Sequence, residues 1–386
     1  MRRSFPIVPR ERLVCALAVA ALLLTAGAAT VMGMFSVTSP HGSPVGASVR
    51  ASGQIATLIR TLEPYTASLQ RNPENDRYRI ALFVHPVEGR LPGRMLPIGK
   101  GLRAGELQLA QIIGYDGAVV WCKVNGLVGV DLRTDRILGA EDLRRANPSL
   151  DEAWDDTRRI SFEGRLQVTA TDRKRVLAVE PGTLKAAPAT VGPALDLQPF
   201  NPTPLDFLVP GVRPSPTEWL GLHSMREADL EFAPRSWLRP LNRAEDAKEA
   251  RRFYRGGLGP ELDRGVRQIQ SMAPLSEEVY LNGAFVRAAR AMDPLRLSGP
   301  EGFLIVYTSE PGLKGRLMAG RVDTAGKPVW KVDTGIDRRE LQQILPDARN
   351  VAFIGTRPPV PDKVPEPVLV IVDTQSGAAS TTSLWQ

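Results

Sequence analysis

Between residues 108 and 138 short apolar runs alternate with turn-forming dipeptides. Asp116-Gly117 and Asn125-Gly126 are the pairs best suited to two-residue hairpin turns whose central residues take positive φ, and they bracket a β-branched and aromatic run at 118–123. A third strand is expected at 127–130, a turn at 131–135 and a return strand at 136–138. Four short antiparallel strands in about 31 residues have the dimensions of one blade of a β-propeller. The plan repeats downstream, with strands at 160–162, 166–170 and 176–179 and turns at Glu163-Gly164, Asp172 and 180–183. Four closing hairpins, VDLRTDRIL, VEPGTLKA, VDTAGKPVW and VDTQSGAAS, align on Asp131, Glu180, Asp323 and Asp373. Those acids lie 49, 143 and 50 residues apart, and 143 is close to three times 48. An acid opening such a turn accepts backbone N–H groups two or three residues ahead.

Other segments read as helical. AEDLRRANPSL and DRRELQQILPDA each follow a hairpin as helix-like connectors. Eight prolines between 188 and 216 exclude a continuous helix or a central strand there. Beyond them, Ser215, Pro216 and Glu218 form a capping-box signature, Asn242 and Glu245 repeat it, and Leu262, Val266 and Ile269 fall on one helical face. Residues 188–273 are therefore expected to be an irregular, partly helical insertion. On the proposed helix, Trp219, His223 and Glu227 are spaced by fours and would share a face, a candidate surface for a ligand or partner. Upstream, Ile55, Leu58, Ile59, Leu62 and Tyr65 form a stripe that predicts a short amphipathic stem helix.

Residues 13–35 carry no charge and are long enough to cross a bilayer as a helix. Arg2, Arg3, Arg10 and Arg12 precede them against Glu11 alone, which by the positive-inside bias puts the N-terminus in the cytoplasm. The expected organisation is a cytoplasmic segment at 1–12, a transmembrane helix or uncleaved signal anchor at 13–35, a stem at 36–75 and a periplasmic domain at 76–386. A cleaved signal peptide is the competing reading, because Ala26-Gly27-Ala28 fits a cleavage site. Arg outnumbers Lys 40 to 9, as GC-rich bacterial coding would give, so the address is a bacterial inner membrane.

The chain has 386 residues, 43% of them hydrophobic, enough for a large core. Its net charge of +7 includes +3 from the first twelve residues, and the remainder is too diffuse for a nucleic-acid surface. Three histidines and two cysteines, with no HExxH, CxxC, EF-hand loop or GxSxG, supply no familiar hydrolase or metal signature. No catalytic residue, metal or cofactor is expected on these grounds. Cys122 reads as a buried, inert thiol.

VDTAGKPVW, closed by Trp330, and the related hairpins resemble the AxDxxTGxxxW blade motif of pyrroloquinoline-quinone (quinoprotein) propellers, with the turn one residue short. The resemblance implies a mainly β, propeller-like array of four-stranded antiparallel blades, in which Asp131, Glu180, Asp323, Asp373, Gly126 and Trp330 are structural repeat positions. Propellers of that family typically have eight blades, a Ca²⁺ site and often a vicinal disulfide. Residues 76–386 hold about six units of 49, and no two cysteines are adjacent. The expected function is thus a membrane-anchored periplasmic binding or scaffolding module with a protein partner in the cell envelope. A quinoprotein-like dehydrogenase is the alternative.

Overall fold

The computed structural model describes residues 36–37, 42–63, 65–66 and 76–385, except for 89–91, 118, 155–156, 171–174, 190–203, 225–249, 263–265, 288–293, 312–314 and 359–364. Short antiparallel strands follow one another in sequence order, and the long ones group in fours. Sheet 1 contains β1 (Ser43–Ala51), β2 (Gln54–Leu62), β3 (Tyr78–Pro86) and β4 (Arg94–Leu102). Sheet 2 contains β5 (Gln111–Tyr115), β6 (Val119–Lys123), β7 (Leu127–Asp131) and β8 (Arg136–Leu138). Sheet 3 contains β9 (Ile160–Phe162), β10 (Leu166–Thr169), β11 (Val176–Val179) and β12 (Ala186–Pro188).

The next eight strands, with the short strand Leu208–Val209, form one nine-stranded sheet. Its halves meet where Ala250 and Arg251 pair with Leu281 and Tyr280, and each half is again a four-stranded meander. Unit 4 is β13 (Gly211–Ser215), β14 (Glu218–Ser224), β15 (Ala250–Leu262) and β16 (Val266–Pro274). Unit 5 is β17 (Tyr280–Val286), β18 (Phe303–Thr308), β19 (Arg316–Val322) and β20 (Pro328–Asp337). Sheet 6 is β21 (Leu341–Pro346), β22 (Asn350–Thr356), β23 (Pro367–Asp373) and β24 (Ala379–Ser383).

These units stack through their faces. In β23, Val368, Val370 and Val372 enter a core shared with unit 5, while Leu369 and Ile371 enter one shared with sheet 1. In β2, Ala56 and Leu58 face sheet 2, and Ile55 and Ile59 face sheet 6. A strand covered on both sides needs an unbroken apolar run, and burying each large side chain contributes about 1.5–3 kcal/mol. Separate cores likewise join sheets 2 and 3 and units 4 and 5. Sheet 6 packs on sheet 1, so the last unit returns to the first, which is a propeller-like arrangement.

That return is reinforced by polar bonds. The Ser48 N–H donates to Gln343 Oε1 at 2.7 Å, and Gln343 Nε2 donates to the Ser48 carbonyl at 3.0 Å. Arg50 reaches Asn350 Oδ1 at 2.6 Å and the Leu345 carbonyl at 3.0 Å.

Several expectations need correction. The stem helix is strand β2: two-sided burial makes Ile55, Leu58, Ile59 and Leu62 mimic a helical stripe. Residues 43–62 thus belong to the first sheet. The insertion at 188–273 is β over its described part from Leu208 to Pro274, with one short helix at Pro204–Phe207. Ser215 and Glu218 are not a helix cap but pair across the tight turn between β13 and β14. Leu262, Val266 and Ile269 lie on β15 and β16. AEDLRRANPSL does contain a helix, Ala140–Ala146, whereas DRRELQQILPDA is one 3₁₀ turn followed by β21. Residues 13–35 lie outside the described part, as do Glu227 and most of the segment with the second capping signature. Among the described residues no helix is long and apolar enough to cross a membrane.

Candidate functional site

The aligned acids close hairpins. Asp131 Oδ1 accepts the Arg133 N–H at 2.9 Å, Asp323 Oδ1 accepts those of Ala325 and Lys327, and Asp373 Oδ1 accepts those of Gln375 and Ser376. Glu180, one methylene longer, accepts the Thr183 hydroxyl at 3.2 Å. The Ser376 amide and hydroxyl hold the Asp373 carboxyl below its ordinary range. Trp330 donates to the Thr374 carbonyl at 3.1 Å and covers Gly377, tying unit 5 to sheet 6. Asn125 and Gly126 both take positive φ, +47° and +127°, as the hairpin reading required. At the other dipeptide only Gly117 does, at +88°, while Asp116 anchors the strand by accepting from Trp121 Nε1 at 2.7 Å.

The structure brings Trp219 and His223 together, but on strand β14 rather than on a helix. Residues four apart on a strand share a face. The indole Nε1 donates to His223 Nε2 at 3.1 Å, with the Tyr254 ring 6.2 Å from the imidazole. Between them Gly221 has no side chain; a Cβ there would lie 2.0 Å from His223 Nε2 and 2.7 Å from Trp219 Nε1. Both rings are buried, Trp219 at 2% and His223 at 8% exposure, so neither forms an open surface. Leu220 and Leu222 on the opposite face enter the core shared with unit 5.

An open groove of about 660 Å³ lies instead where the loop before β17 meets the β19–β20 turn, lined by Glu277, Glu278, Val279, Lys327 and Pro328. Val279 at 44% and Val329 at 56% are among the few exposed large apolar side chains. Glu278 pairs with Lys331 at 3.0 Å, and Lys331 Nζ stands 5.6 Å from the centre of the Tyr280 ring. Glu277 pairs with Arg252 at 2.8 Å. Behind the groove Tyr280 and Tyr307 meet edge to face, their centres 5.3 Å apart. Burial, with Glu278 adding to it, raises the Tyr307 hydroxyl to about 12 and pushes Tyr280 higher. Both phenols therefore stay neutral. The mixed acidic, basic and aliphatic rim suits non-covalent recognition.

Sequence reasoning missed this groove because it is assembled from residues fifty apart. The exposed valines, in otherwise unremarkable strand patterns, were its only signal. Cys122 is fully buried in β6, and desolvation pushes its thiol far above the ordinary range, in keeping with an inert role. Among the described residues no three His, Cys, Asp or Glu side chains cluster as metal ligands would.

No protein-family profile matches the chain, and no curated protein matches it. Among solved structures, hydrazine synthase from Kuenenia stuttgartiensis aligns at 12% identity over 70% of this chain and 63% of that one, with a TM-score of 0.23. The β-propeller domain of the trilobed protease from Pyrococcus furiosus, described as having an open velcro topology, aligns at 10% identity over 91% and 86%, with a TM-score of 0.21. The β-xylosidase RS223 aligns at 10% identity over 89% and 97%, with a TM-score of 0.24. The matched region thus spans less than two thirds of the hydrazine synthase chain. The propeller-like description of this protein rests on its own sheet order and shared cores.

Proposed function

We propose that the protein is a binding or scaffolding module of the bacterial cell envelope, held in the inner membrane by residues 13–35, with its propeller-like ring on the periplasmic side and no catalytic centre of its own. The observation that carries the binding reading is the open groove lined by Val279 and Pro328, with the exposed Val329 next in the chain to Pro328, set beside strands packed into a core. Two exposed valines beside paired charges suit a protein segment that covers the aliphatic surface and exchanges ion pairs with Glu277 and Glu278. A photo-crosslinking residue at Val329 of the full-length chain in its membrane should capture one defined partner, and Val279→Asp should abolish that product. Cross-linking that is diffuse, or unchanged by Val279→Asp, would remove the groove from the model of function.

Two further measurements bear on the rest of the reading. Alkaline phosphatase fused after Gln386 should be active; an inactive fusion, with a cytoplasm-dependent fluorophore bright at the same position, would reverse the topology. A stoichiometric quinone cofactor in the purified chain would favour the dehydrogenase alternative.

A further inference from the structure

We infer that a second site, in the cleft between sheets 1 and 2, takes a small organic anion: a carboxylate carrying a short apolar body. The cleft has a volume of about 400 Å³, within the range of small-molecule sites. Its walls follow from strand alternation. Ala56 and Leu58 on β2, and Ile80 and Leu82 on β3, turn toward sheet 2 and pack in the shared core. Two residues on from Leu58 and on the same face stands Arg60; two residues before Ile80 and on the same face stands Tyr78. At this end of the interface the apolar pattern gives way to a guanidinium and a phenol. The Tyr78 ring still packs against that core, while Arg60 is exposed.

The backbone opens the cleft at the same place. The register between β1 and β2 shifts between Val45 and Val49, and Gly46 takes a φ of +65°. A Cβ at Gly46 would lie 3.4 Å from the Ala110 carbonyl, so the bulge comes close to sheet 2 at the cleft rim. Val45 and Leu107 give the cleft aliphatic surface, and Gln111 borders it at the start of β5.

The charge is one-sided. Arg60 Nε donates to Ser43 Oγ at 2.7 Å, and among the described residues no acidic side chain lines the cleft and no carboxylate pairs with Arg60. The Tyr78 hydroxyl and the Gln111 amide make no hydrogen bond to other described residues. A planar guanidinium fork with donors beside it and aliphatic surface behind matches a carboxylate head and an apolar tail.

This site is remote in sequence from the groove of unit 5, and the two stand or fall separately. Full-length chain would be titrated with hexanoate, hexan-1-ol and inorganic phosphate, following binding by saturation-transfer NMR and calorimetry. Hexanoate should bind saturably, with hexan-1-ol weaker by about tenfold or more, as expected when one charge-assisted pair is lost. Arg60→Gln should reduce hexanoate affinity by a similar factor, Arg60→Lys by less, and Tyr78→Phe least. Melting curves establish that each variant is folded; if Arg60→Gln is not, the hexanoate-to-hexanol ratio of the unaltered chain together with Arg60→Lys decides. Equal binding of acid and alcohol, phosphate binding tighter than hexanoate, unsaturable hexanoate, or a folded Arg60→Gln that binds as before would each overturn the assignment.

Discussion

Two seams of the ring behave oppositely. Sheet 3 and unit 4 follow one another along the chain, yet among the described residues they share no common core. Sheets 6 and 1 lie some 300 residues apart, and they share an apolar core that includes Ile55, Ile59, Phe83, Ile354, Leu369 and Ile371, with the Ser48–Gln343 and Arg50–Asn350 bonds beside it. On the side of unit 4 turned away from unit 5, aliphatic residues are replaced by Trp219, His223 and Tyr254. Covalent succession therefore does not determine which faces fuse. The distant seam is closed by complementary side chains, and loop-closure entropy for so long a connection grows only slowly with length, so that such a closure is affordable.

The comparison breaks most sharply at Phe83. Its ring is fully buried at the 6–1 seam, and Phe83→Ala should cost about 3–5 kcal/mol, read as a large fall in the chemical-denaturation midpoint. A small effect would mean that the seam contributes little. Gln343→Ala comes next: it leaves the buried Ser48 N–H and carbonyl without these partners and should cost about 1–3 kcal/mol, with secondary structure by circular dichroism preserved. Away from both seams, Gly126→Val forces a β-branched residue into a φ of +127° and should cost about 1 kcal/mol or more. An unchanged melting curve would show that this turn relaxes freely.

The smallest effect is a pH dependence. His85 Nε2 lies 3.0 Å from Thr382 Oγ1 across the same seam, and desolvation lowers the imidazole pKa. A group whose folded pKa lies below its unfolded value binds more protons when unfolded, so its stabilising contribution is present above the unfolded value, about 6.5, and is lost as pH falls below it. Denaturation midpoints measured downward from pH 7.5 should decline more steeply for the native chain than for His85→Gln. Parallel profiles would acquit His85.

The sequence made sheets 2 and 3 legible because their turns carry their own chemistry: Asn125-Gly126, Glu163-Gly164 and the acids at Asp131 and Glu180 punctuate runs of three to five residues. Where strands are covered on both faces the period-two signal disappears, and Ile55, Leu58, Ile59 and Leu62 read as a helix. The same loss of alternation, with a Ser-Pro-Thr-Glu turn imitating a helix cap, hid unit 4. Trp219 and His223, read from their spacing as one face of a helix, meet instead on a strand, since four residues bring side chains to one side of either element. What the spacing cannot convey is that Gly221 vacates the room in which they meet, or that both rings are buried. The groove and the anion cleft were illegible for another reason: each is assembled from segments distant in sequence, the groove from a loop and a turn and the cleft from β1, β2, β3 and the segment entering β5.

A ring whose first and last units are joined by side chains has, in effect, no privileged starting point. Leu384 rests in the same core as Ile55, so the two ends of the described domain are neighbours already. A circularly permuted chain, with a short bridge linking residue 385 to residue 42 and new ends opened between two sheets, would keep all five described cores intact. In that reordered molecule the 6–1 contacts would become local along the chain, and the same native architecture would be reached by a different sequence of closures.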